Sequence, residues 1–98
     1  MSSMTERDTT RLSFLMASLV SSPDLASRFV ERVLSDEQAG TFASVVKAVR
    51  TSIEQATPNG PPTRTTLRKV AEELISENSD QKKTAGRLLA AALESAPR

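Results

Sequence analysis

The sequence predicts an all-α fold, a compact bundle of four to five helices, expected to dimerise. Three observations carry that reading. Apolar residues recur every three or four positions along the chain, the spacing of a helix face rather than of a strand. A helix-start signal precedes each such stretch, at Thr5, Ser22-Pro23, Ser35, Thr63 and Ser79. Helix-breaking residues crowd into one place, Thr57-Pro58-Asn59-Gly60-Pro61-Pro62, which reads as a semi-rigid connector. Residues 1–98 form one domain on this reading, with a three-helix segment at 6–56, the connector at 57–62 and a helix pair at 63–96.

The first helix is expected to begin near Glu6, because Thr5 and Asp8 stand three apart as a capping pair. Leu12, Leu15, Met16 and Leu19 form its apolar stripe. Pro23 at the first position of the second helix loses nothing by lacking an N–H, and Asp24 meets the positive end of the helix dipole. Ser22 is expected to cap it. Leu25, Phe29, Val30 and Val33 are its expected buried stripe.

Ser35 and Gln38 read as a capping box that opens the third and longest helix, from Asp36 to Ala56, about 30 Å long. The competing parse ends the second helix at Gly40 and lets Thr41 cap the third. Ala39, Phe42, Val46, Val49, Ile53 and Ala56 follow spacings of three and four, the heptad seam of a packed helix pair. Val45, Ala48 and Ala43 widen that face beyond one seam.

Thr63 caps the fourth helix, whose stripe is Leu67, Val70, Ala71 and Leu74. Arg68–Glu72 and Lys69–Glu73 are spaced as i,i+4 ion pairs. Asn78 stops it and Ser79 caps the fifth helix, which carries Ala85, Leu88, Leu89, Ala92, Leu93 and Ala96. Gly86 stands inside this helix as a weak point, at about 1 kcal/mol against Ala.

Composition limits the chemistry. The 98 residues include no Cys, His, Trp or Tyr. Side-chain zinc, haem and iron–sulfur sites therefore lack their usual ligands, and Ser–His or Cys–His nucleophile pairs cannot be built. No disulfide can staple the fold. Adjacent carboxylates at Asp36–Glu37 and Glu72–Glu73 point about 100° apart on a helix and do not converge on one atom. There is no glycine-rich phosphate loop after a strand. The expectation is a protein with no catalytic residues, metal, cofactor or small-molecule substrate.

The net charge is +1. That balance alone argues for neither a nucleic-acid nor a membrane partner. The apolar run Leu12–Val20 is too short to span a bilayer. It reads as an amphipathic helix, with a weak signal-peptide core as the alternative, against which stand Glu6 and Asp8 beside Arg7 and Arg11 and the interruptions at Ser13 and Ser18. A cytoplasmic, intracellular protein is expected. Leu, Ile, Val and Phe number 22, a thin core supplemented by twelve alanines. Small cores of this kind gain from oligomerisation.

Two functions remain. The first is a small regulatory or adaptor protein that binds another protein or itself as a homodimer. Its interface would be the face of helix three, at Phe42, Val45, Val46, Val49 and Ile53. The second is nucleic-acid binding by the C-terminal pair through Arg64, Arg68, Lys69, Lys82, Lys83 and Arg87. Here Thr66 to Leu74 followed by Lys82 to Leu89 resembles helix-turn-helix modules, with an alanine in the first helix and basic and hydroxyl residues opening the second. The usual turn glycine is absent. Recognition of duplex RNA by a basic helix face is the variant of this reading. Base stacking is not expected, because Phe14, Phe29 and Phe42 are all assigned to apolar stripes.

Overall fold

Local signals set most helix ends. In the computed structural model, which describes residues 5–36, 40–60 and 62–95, Thr5 and Asp8 close a reciprocal capping box at the start of α1, Glu6–Ser21. Thr63 Oγ1 accepts from the Thr66 N–H at the start of α4, Arg64–Ile75. Ser79 Oγ accepts from the Lys82 N–H at the start of α5, Asp80–Ser95. Each hydroxyl satisfies one backbone donor that the helix itself cannot. Helix α2, Pro23–Ser35, opens differently. Pro23 occupies its first turn, but the Ser22 side chain makes no capping bond, contrary to the expectation.

The third helix is shorter than the preferred parse. It runs Gly40–Ala56, and Asp36 is extended at the end of α2. Ser35 belongs to the last turn of α2, where its hydroxyl donates to the Arg32 carbonyl at 2.9 Å. It therefore lies inside α2, five residues before α3 begins. Gly40 has φ +56°, a left-handed backbone that glycine adopts without steric cost. Gln38, Ala39, Pro61 and Ala96 lie outside the described residues.

The five helices pack into one body with a Cα radius of gyration of 12.3 Å. Helices α4 and α5 form the most extensive contact. Helix α1 packs on α5 and α2, and α3 bears on α1, α2, α4 and α5. The core is aliphatic with one buried ring. Leu12, Leu15 and Met16 of α1, Val46 of α3, Val70 of α4, and Ala85 and Leu89 of α5 are fully buried. Among the described residues no polar or charged side chain is buried, so the core is held by close packing alone.

The stripes of α1 and α4 are buried as the spacing predicts. Two other expectations need correction. Leu25 is 60% exposed; Ala26 takes the buried place beside Val30 and Val33. Phe14 is 59% exposed and lies off the α1 stripe. The i,i+4 ion pairs of α4 are also open. Among the described residues the pair that closes is Arg50–Glu54 in α3, at 2.9 Å.

Gly86 is not a defect. It is buried where α5 crosses α4, and a Cβ built there would lie 2.8 Å from the Ala71 carbonyl oxygen and 2.9 Å from the Ile75 nitrogen. Those are backbone atoms of α4, so only glycine permits this approach. Further along, the Arg64 guanidinium donates to the Leu93 carbonyl. The start of α4 thus meets the end of α5, and the pair is an antiparallel hairpin.

Candidate functional site

Helix α3 contributes most of the predicted interface to the core. Phe42, Val45, Val46 and Val49 are between 0% and 3% exposed. The chain's own helices cover them, which answers why the apolar face of α3 is wider than one seam: several helices pack against it at once. Ile53 differs. It lies one turn beyond Val49, only partly buried, at the edge of a cleft.

That cleft has a volume of about 380 Å³, within the lower range of pockets that hold a ligand or a partner side chain. Its apolar walls come from four parts of the chain. Leu19 stands near the end of α1, Pro23 and Val30 in α2, Val49 and Ile53 in α3, and Pro62 in the connector. The connector is held against α3 at its first residue. The Thr57 hydroxyl donates to the Ile53 carbonyl at 3.0 Å, and the Thr57 N–H donates to the same oxygen at 2.8 Å. The residues that break the helix therefore build a wall.

The rim is charged. Asp24, Ser27 and Glu31 follow one another at three and four residues along one flank of α2. Arg50 and Glu54 of α3 face them across the opening. Arg50 is joined to Glu54, so Asp24 and Glu31 leave the rim with an acidic excess. The Arg50–Glu54 pair is largely exposed and contributes only a few tenths of a kcal/mol. The arrangement suits an apolar side chain flanked by basic groups. Among the described residues no group of carboxylates is placed to hold a metal ion, and no helix is long and apolar enough to cross a membrane.

Of the six basic residues of the C-terminal pair, Arg64, Arg68, Lys83 and Arg87 lie on the outer side of the hairpin, away from the core stripe, and Lys69 and Lys82 stand apart from them. Arg64 is tied to the Leu93 carbonyl, and Arg68 follows it one turn later on the flank of α4 toward α5. Lys69 is turned about 100° further round α4 and is exposed. Lys83 and Arg87, one turn apart on α5, flank Gly86 on the outer side of the hairpin. Lys82 is on another side again, in a shallow recess with Ser44, Lys47 and Leu74. The antiparallel hairpin, pinned at Gly86 and at Arg64, also departs from the steep crossing of a helix-turn-helix.

The cleft was not among the expected sites. Its walls are up to 43 positions apart in sequence, from Leu19 to Pro62, and no single periodicity joins them. Of the expected interface residues, Val49 and Ile53 line it. Comparison with protein-family models, with curated proteins and with solved structures finds no match to this chain.

Proposed function

We propose that this protein is a non-catalytic binding module. Its site is the cleft between α2, α3 and the connector, and its ligand is a protein surface that presents an apolar side chain flanked by basic groups. The acid-rimmed apolar cleft is the observation that carries this reading. An aliphatic floor rewards burial of an anchor side chain, at about 25 cal/mol per Å². Rim carboxylates contribute selectivity and association rate more than affinity. The anchor position on this protein moves from the buried seam of α3 to its open end, at Ile53. Nucleic-acid binding by α4 and α5 is supported less, because Arg64 is engaged with the Leu93 carbonyl and Lys82 lies in a separate recess, which leaves fewer basic groups to clamp phosphates.

The test uses two labelled helical peptides, each with one stripe of Leu and Phe. One has Arg beside the stripe and the other has Glu. The Arg peptide is expected to bind at least about tenfold more tightly, a difference of about 1.4 kcal/mol. Glu31→Arg, at an exposed rim position, is expected to erase that preference. Equal binding of the two peptides, or an unchanged preference in Glu31→Arg, overturns the reading.

A further inference from the structure

A second surface lies on the opposite flank of α2. Phe14 and Leu25, at 59% and 60% exposure, are the two most exposed large apolar side chains described. The Phe14 ring meets Phe29 edge-on at 6.0 Å, which seats this part of α1 against α2. Leu25 stands one turn before Phe29 on α2. Arg7 precedes Phe14 by seven residues on the same flank of α1 and Arg32 follows Phe29 by three, both exposed, whereas the Arg11 guanidinium is taken up over the Phe42 ring. The result is an apolar knob bordered by arginines.

The knob and the cleft match in chemistry and cannot meet in one molecule. At 100° per residue, Phe29 and Leu25 lie about 100° and 140° round α2 from Val30 in one sense. Ser27, Glu31 and Asp24 lie about 60°, 100° and 120° round it in the other sense. Arg28 stands on the crest between them. The two surfaces are therefore back to back across one helix.

We propose that the cleft takes the Phe14–Leu25 knob of a second copy of this chain. The inference rests on the cleft reading above and names its partner. Apolar side chains enter an aliphatic cleft, and the arginines meet Asp24 and Glu31. The contact joins two different patches, so it is head-to-tail, and copies add in a row or close into a ring. With only two large side chains exposed on the knob, the association is weak. It loosens in salt because its charges are exposed.

Sedimentation velocity of the full chain tests this from about 5 to about 500 µM, the range in which weak association shows. The wild type is expected to grow in mass with concentration, and less so at high salt. Leu25→Asp spoils the knob and Glu31→Arg spoils the cleft. Both positions are exposed, and unchanged helical circular dichroism confirms that each variant folds. Each alone is expected to stay a monomer where the wild type assembles. An equimolar mixture is expected to form dimers and stop there, because the one intact knob fills the one intact cleft. A wild type that remains monomeric throughout, a Glu31→Arg variant that still self-associates, or a mixture that fails to dimerise overturns the proposal. If the Arg peptide still binds the cleft in that event, the cleft reading stands and only its occupant changes.

Discussion

The two helical hairpins of this protein are closed in opposite ways. Helices α4 and α5 approach through a missing side chain. Gly86 lets α5 rest on the Ala71 and Ile75 backbone, and Arg64 ties the far end to Leu93. Of its large apolar side chains, only Ile75 counts as exposed, at 37%. Helices α1 and α2 approach through added side chains instead. Phe14 and Phe29 fill the outside of their contact, and both Phe14 and Leu25 remain open to solvent. A glycine contact completes its own packing, whereas an aromatic contact placed outside the core leaves area for something else to cover. The difference puts the closed packing at one end of the molecule and the exposed apolar side chains at the other.

Three substitutions would break or sharpen that contrast. The largest effect is expected from Phe42→Ala, because this ring is 1% exposed and is the buried end of the aromatic series. Its loss is expected to cost about 3–5 kcal/mol by urea unfolding, most of the stability of a domain this small. A loss under about 1 kcal/mol would mean that α3 is not anchored in the core as described.

Gly86→Ala comes next, and its sign decides the matter. Helix propensity alone favours Ala by about 1 kcal/mol. Overpacking against the α4 backbone is expected to outweigh that by enough to leave a net loss of about 1–3 kcal/mol. A thermal midpoint that rises in Gly86→Ala would show that the hairpin does not depend on close approach.

Phe14→Ala is expected to change stability least, by no more than about 0.5 kcal/mol in the dilute monomer. Its melting temperature is expected to stay within a few degrees of the wild type. A large loss would place Phe14 in the core economy of the fold and remove it from the recognition surface.

These expectations also show which parts of the fold were legible in the sequence. Caps depend on residues three apart, so Thr5 with Asp8, Thr63 and Ser79 could be read directly. The α1 and α4 stripes follow from spacing alone. Spacing says that a face is apolar but not what covers it. Spacing alone thus leaves the seam of α3 open to a partner, whereas α1, α2, α4 and α5 close it from within. Propensity likewise reads Gly86 as weak, since its reason lies in α4, about fifteen positions away. Leu25 and Ala26 are neighbours on the helix edge, and hydrophobicity favours the wrong one for burial. The cleft depends on how α1, α2, α3 and the connector are set together, which no local pattern encodes.

The aromatic residues have a further consequence, for observation rather than for folding. With no Trp or Tyr, the protein absorbs almost nothing at 280 nm, and its three phenylalanines are its whole aromatic complement. All three lie in one continuous series from solvent to core, Phe14 to Phe29 at 6.0 Å and Phe29 to Phe42 at 6.5 Å, with the Arg11 guanidinium 4.3 Å over the last ring. Each ring sits in the magnetic shadow of the next. The few aromatic proton resonances of this chain therefore report jointly on how α1, α2 and α3 are registered, and the outermost of them stands where a neighbour would be felt first.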